Sequence, residues 1–508
     1  MSRFNMIDEK WIPVRFLEGS RAELGIQDTL LEAKKIATIE DASPLVVASL
    51  HRFLLAVLYR ALEGPTDIEQ AKKFFREGLP KEKINAYLDK WRERFWLFNG
   101  KYPFYQIPDY EPKNGWRSWS TIAAEHNADN AKVLFDHLDV THSGSIPFGK
   151  AVRWLLACQT FSVGGGNSEF QYTKGGPSAT AAMALPLGTN LHDTLLFSLI
   201  PEGREVLRND LPVWEREPDE LASLQKGVEK AITGLADLYS WRTRSINFRL
   251  YGDGETIGEL AFASGIGCSS ESYVDPMLGY RLDPKKGKLP IQFRVRGLWR
   301  DFDSLLPDES HLAPKVIEHA TALTRSFRER FPRSVMVLGQ ANTKAKIEYW
   351  RMERFALPEA LAGDRFIRTE IWQLLKDSED AQKALWRACS SFARHLLSRG
   401  DRKPAGKDIS RFVEQMPANS WYWSNLESCF HEILREYTLE RDSEDIRCQW
   451  LKSVRGILKQ TWAQHRASIS MGDAWAIRAL VKAEESVRWK LKELSDEIIK
   501  LEPEKGVA

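Results

Sequence analysis

F-S-V-G-G-G-N-S-E-F-Q-Y-T-K-G-G, residues 161–176, sets two glycine clusters eight residues apart in a chain otherwise rich in bulky side chains. Upstream of it the sequence reads as a helical layer; downstream it reads as hairpins and then helices again. Without a Cβ, Gly164, Gly165 and Gly166 tolerate positive φ and let backbone amides approach a phosphate or a base edge. The stretch alone supports two readings: a turn that follows the apolar segment 152–161, or a ligand loop with Asn167 on its rim.

Working upstream, residues 44–62 place Val47, Leu50, Leu54, Val57 and Ala61 at helical spacing, interrupted by His51 and Arg52, which predicts a buried helix rather than a membrane span. Residues 68–78 and the run Ile84, Leu88, Trp91, Phe95 extend that helical layer. W-I-P-V-R-F at 11–16 reads as a short strand whose proline suits a sheet edge. Between 116 and 148 periodicity is lost, which predicts a long functional loop. It holds Asp136, His137, Asp139 and His142, whose spacing matches no metal-site pattern, so no metal is expected there. A metal-dependent phosphohydrolase or nuclease built on those four residues is the competing enzymatic reading, and a scaffold whose basic strand binds RNA rather than DNA is a third.

Downstream, residues 245–262 alternate Ile246, Phe248 and Leu250 with Asn247, Arg249 and Tyr251 and turn at Gly252-Asp253-Gly254, the pattern of a hairpin. Residues 281–300 carry seven basic side chains and one acid, enough to form a local cationic patch. After Lys285, Lys286 and Lys288, the segment I-Q-F-R-V-R at 291–296 predicts a strand with Ile291, Phe293 and Val295 inward. Gln292, Arg294 and Arg296 would then share the outer face. A second hairpin pairs Val335 and Val337 with Ile347 and Tyr349, its tip at 339–344 presenting Gln340, Asn342, Thr343 and Lys344.

From about residue 364 four apolar stripes step by three and four, over 365–399, 420–437, 443–465 and 473–501, with Ser443 and Asp473 as N-caps. The expected architecture is α+β. A large mixed N-terminal domain of helices and antiparallel hairpins, 1–360, precedes a C-terminal antiparallel four-helix bundle, 361–508.

Bulk properties narrow the function. A chain of 508 residues with 43% apolar content holds more than one core. Its 72 basic and 70 acidic residues leave a net charge of +2, so attraction to nucleic acid must come from local patches. Five dispersed cysteines without a C-x-x-C pair argue against disulfides and a cysteine zinc site, and the 18 tryptophans read as core payload. The N-terminus lacks an apolar signal region, which predicts a cytoplasmic protein without a membrane partner. Phosphate-loop, nucleophile-elbow and H-E-x-x-H motifs are missing, so the expectation is a binding subunit with no catalytic residue and no cofactor.

The order of these features resembles the CasA family, the large subunit of the type I-E CRISPR surveillance complex Cascade. The resemblance is carried by N-M-I-D-E-K-W-I-P-V (5–14), P-F-Y-Q (103–106), N-A-K-V-L-F-D-H (130–137), the two glycine clusters, K-K-G (285–287) and the terminal helices. It implies a non-enzymatic subunit that reads a short protospacer-adjacent motif (PAM) in target double-stranded DNA, opens the duplex for guide RNA pairing, and recruits a helicase-nuclease. It further implies that Gly164 to Gly166 and Lys285 or Lys286 read the motif from the minor groove. The 127–145 loop, with Asn130, Phe135 and His137, would meet the guide RNA 5′ end and other Cascade subunits. A wedge residue at the second hairpin tip is also implied, with Gln340, Asn342 and Lys344 as candidates.

Overall fold

The computed structural model describes residues 3–126, 144–165, 168–171, 174–252, 254–269, 273–294, 296–306, 311–332, 334–343, 346–357, 365–399, 403–437, 441–469 and 472–502. It mixes helices with antiparallel sheets and divides into two compact units. The first is Met1–Arg296 with Ser304–Arg354; the second is Gly297–Asp303 with Phe355–Ala508.

The first unit is built on the helix Pro44–Leu62, which begins with Ser43 accepting from the Val46 amide and has almost every residue buried. By length and composition alone this helix would span a membrane, but 94% of its most apolar window is buried within the protein. Phe53 meets Trp11, Phe104 and Trp214 at ring-centroid distances of 5.8, 5.9 and 5.5 Å. Each such side chain contributes roughly 1.5–3 kcal/mol by burial. His51 Nδ1 lies 2.8 Å from Val47 O, to which it donates, and burial lowers the pKa of the ring to about 4, keeping it neutral.

Arg52 is buried beside Asp275, with which it forms an ion pair at 2.6 Å. The two residues that interrupt the apolar stripe are therefore both inside. The strand Ile12–Phe16 lies in the middle of a three-stranded sheet rather than at its edge. Pro13 is tolerated there because pairing with Ile36–Ile39 starts one residue later, at Val14. The 245–262 hairpin forms as Arg244–Tyr251 against Thr256–Ser264, with Arg244 opposite Ser264.

In the second unit the long helices are Arg365–Ser398, Ala418–Glu436, Ser443–Ala467 and Ala474–Leu501. A shorter helix, Gly406–Glu414, carries Val413 as its buried residue and gives too short a stripe to register in the sequence. Asp473 caps its helix as expected, accepting from the Trp475 and Ala476 amides. The cap expected at Ser443 is Asp442, one residue earlier, which accepts from the Glu444 amide.

Gly297–Asp303 joins this unit because Trp299, 1% exposed, packs on Trp423 and Phe430. Arg300 is held there too, 3.4 Å above the Trp423 ring and 2.7 Å from Glu379. Tryptophan is partly core, as at Trp11 and Trp450. Trp372, Trp386 and Trp489 are instead exposed.

Candidate nucleic-acid interface

The site is organised by one strand, Ala182–Leu187, in the first unit. On one edge it pairs antiparallel with Ser334–Thr343, Gly339 lying opposite Ala182. On its other side Met183 bridges Leu278, the Ala184 amide donates to Met277 O (2.8 Å), and the Ala182 amide donates to Ile291 O (2.9 Å). These partners are the roots of a basic hairpin, Tyr280–Asp283 paired with Gly287–Pro290. Register therefore carries two projections past Ala182 at the same end of the sheet: residues 340–343 of one hairpin and 280–283 of the other. Four strand residues reach about 13 Å.

The glycine-rich stretch enters at that end. Its base is a set of buried polar contacts. Arg244, 7% exposed, donates through Nη2 to Val163 O (2.6 Å) and through Nη1 to Lys174 O (3.1 Å), gripping both limbs. Gln159 fixes Arg244 in turn, donating to its carbonyl (3.0 Å) and accepting from its amide (2.8 Å). The Gly176 amide closes the base on Ser162 O (2.9 Å).

Gly175 and Gly176 are required by this closure. A Cβ on Gly175 would lie 2.8 Å from the Gly164 amide nitrogen, and one on Gly176 would lie 2.7 Å from Thr160 O. The outer limb is pinned separately. Phe170 is buried in a cluster with Tyr110, Trp241 and Ile266, while Glu169 accepts from the Lys113 and Asn114 amides at 3.1 and 2.8 Å. What these anchors leave free is the first glycine cluster: Gly164 is half-buried, and Gly165 is exposed with φ +99°. Gly166 and Asn167 lie outside the described residues.

The basic hairpin turns by local chemistry. Asp283 accepts from the amides of Lys285 and Lys286, both at 2.9 Å, and Gly287 takes φ +73°. Those two N–H groups stabilise the carboxylate and hold its pKa below the ordinary value of 3.8. Asp283 is thereby spent on the turn, while Arg281, Lys285, Lys286 and Lys288 stand exposed around it. Four like charges beside one acid suit an anionic partner.

Several expected positions are corrected. Among the described residues 291–294 and 296 no strand forms: Ile291 bonds to backbone, its amide donating to Gly279 O and its carbonyl accepting from the Ala182 amide, but beyond it a side chain takes up the carbonyls. Arg351 Nη1 donates to the carbonyls of Arg296 (2.7 Å) and Arg294 (3.4 Å). Phe293 is nevertheless buried and Arg294 exposed, so that part of the alternation survives; Arg296 is half-buried, and Val295 lies outside the described residues. Gln340 is neither at a tip nor a surface contact. The strand continues to Thr343, and Gln340 is 0% exposed with its amide bonded to Phe161 O and Ala179 O. Asn342 is half-buried and Thr343 exposed. Lys344 lies outside the described residues, as do Asn130, Phe135, Asp136, His137, Asp139 and His142.

Sequence reasoning misses Arg244, Gln159 and Phe170. For Phe170 there is a signal, a lone large apolar residue between two glycine clusters. Arg244 offers none, since its role depends on limbs far away in the chain. A further buried group, Arg52 with Asp275, includes Ser178, whose hydroxyl donates to Asp275 Oδ2 (2.7 Å) and ties the loop exit to the root of the basic hairpin.

A CasA/Cse1 protein of Thermus thermophilus is 32% identical over 98% of this chain and 99% of its own length. The structure of Thermus thermophilus CasA (Cse1) superposes with a TM-score of 0.84 at 30% identity, covering 97% of this chain and 100% of that one. A chain of a CRISPR RNA-guided surveillance complex shares the fold at 16% identity, with a TM-score of 0.66 over 96% of this chain and 100% of its own. The family model described as CRISPR-associated protein Cse1 matches residues 5–461, so this chain belongs to the Cse1 (CasA) family.

Proposed function

We propose that this chain is the DNA-reading subunit of an RNA-guided CRISPR surveillance complex and that it works by binding, without catalysis of its own. The observation that carries the proposal is convergence: an exposed glycine turn, a cationic hairpin and the end of a second hairpin leave one sheet at the same end. Each part fits a step of duplex reading. Bare main chain at Gly164 and Gly165 comes close to base edges in the minor groove, where a side chain would be held off. Lys285 and Lys286 neutralise the flanking phosphates, with Lys288 and Arg294 extending the contact. The second hairpin, through Thr343 and residues beyond it, enters beside the recognised flank and separates the strands so that guide RNA pairs with one of them.

Under this reading the 127–145 loop meets the guide RNA 5′ end and neighbouring subunits. The four long C-terminal helices form an antiparallel bundle, and the protein acts in the cytoplasm before a helicase-nuclease is recruited. Reconstituted complex should bind duplexes that differ only in the bases beside the target with affinities at least about tenfold apart, the scale of one mismatched base-edge contact. Equal affinities would remove the reading. Divalent-metal-dependent turnover of nucleic acid by the purified chain would replace it with the enzymatic one.

A further inference from the structure

Gln340 occupies an unusual place. It is the first residue of its strand beyond the end of Ala182–Leu187, since Gly339 is the last to pair, opposite Ala182. Its amide nitrogen donates to two carbonyls, Phe161 O at 2.6 Å and Ala179 O at 2.9 Å. Both partners are carbonyls, which accept only, so the orientation of the amide is dictated. Phe161 ends the helix Phe148–Phe161, whose last carbonyls lack intrahelical donors. Ala179 stands three residues before the strand Ala182–Leu187. The two carbonyls therefore bracket the glycine loop, and one side chain from the neighbouring hairpin is bonded to both of its ends.

Gly339 reinforces the contact. At φ +154° its missing Cβ would fall 2.2 Å from Ala181 O, so the hairpin touches the loop exit because no side chain intervenes. Simple packing does not account for an amide here. Gln340 Oε1 is buried without a hydrogen-bond partner among the described residues, a cost that a methionine of similar length would avoid.

From this arrangement we infer that Gln340 is a positioning residue that makes the glycine loop and the second hairpin move as one body. The inference deepens the DNA-reading proposal and rests on it for its function. Engagement of the loop by the correct flanking bases would be transmitted through Gln340 to the hairpin three residues before Thr343. Recognition and strand separation then become a single event rather than two independent ones.

The test uses the full-length chain, alone and in the reconstituted complex. Gln340→Met removes both donors at nearly constant volume. Gln340→Asn keeps the donors on a side chain one methylene shorter and serves if the first variant fails to fold. In the free chain, amide hydrogen exchange of residues 162–165 and 341–343 should rise together by about tenfold in Q340M, and by less in Q340N, as local opening becomes easier. In the complex, opening of the duplex beside the flank, read with 2-aminopurine, should slow by about tenfold. Affinity for duplex lacking the recognised flank should stay within about twofold.

Exchange that rises in one segment alone, or in neither, overturns the staple and leaves the DNA-reading proposal intact. Joint loosening with an unchanged opening rate overturns the coupling of recognition to separation. A wild-type complex that opens no duplex in a flank-dependent way overturns the underlying reading, and the functional role of Gln340 with it.

Discussion

The glycine loop and the basic hairpin flank the same end of one strand, yet they acquire their shapes by opposite means. The hairpin is local: Asp283 folds back on Lys285 and Lys286, Gly287 supplies the positive φ, and the cations point outward as a consequence. The loop is tertiary: Arg244 and Gln340 lie far from it in sequence, and Phe170 holds it only because a core from other segments awaits the ring. A locally determined element should survive single changes elsewhere and respond mainly in charge. A tertiary element should lose shape when one distant anchor is removed.

That contrast is sharpened most by Arg244→Met. Two carbonyls, Val163 O and Lys174 O, would be deprived of their buried donor, which costs about 3 kcal/mol in stability. Thermal or urea unfolding should register the change, and flank-dependent DNA binding should vanish while amide exchange of the basic hairpin stays as in the wild type. Loosening of both elements would erase the distinction between them.

Lys285→Ala with Lys286→Ala should do the reverse. Stability should remain unchanged, because both side chains are exposed. The slope of log affinity against log salt should flatten by about 0.9 for each phosphate left without its cation. A slope that stays steep would show that these lysines do not face the DNA backbone.

The smallest effect is expected from acid. Because the Asp283 carboxyl has a depressed folded pKa, its stabilisation is complete above the ordinary value of 3.8 and is lost as pH falls through the lower folded one. The turn should hold from neutral to mildly acidic pH. Exchange protection of the Lys285 and Lys286 amides, read by NMR against pH, should fall only in strong acid. Loss near neutrality would mean that another group sets the turn.

The same division explains what is legible in the sequence. The 245–262 hairpin and the long helical stripes follow from residues close together in the chain, and each appears where its pattern places it. Gln340 is misread because hairpin register, not polarity, decides where a strand ends; a polar residue near a turn looks like a tip until the neighbouring strand is known. The 291–296 alternation misleads for a related reason: the backbone pairing seen at Ile291 is not continued, and the Arg294 and Arg296 carbonyls accept from the Arg351 side chain instead. Trp299 leaves its sequence neighbours for the C-terminal helices because Trp423 and Phe430 provide the apolar surface that buries it.

The central claim is that loop and hairpin meet the same few base pairs. A photo-crosslinking residue placed at Gly165 in one sample and at Lys286 in another, within reconstituted complex on a target duplex, addresses it directly. The account predicts crosslinks from both positions to the same flanking base pairs. Crosslinks to separate stretches of DNA, or from Lys286 alone, would contradict it.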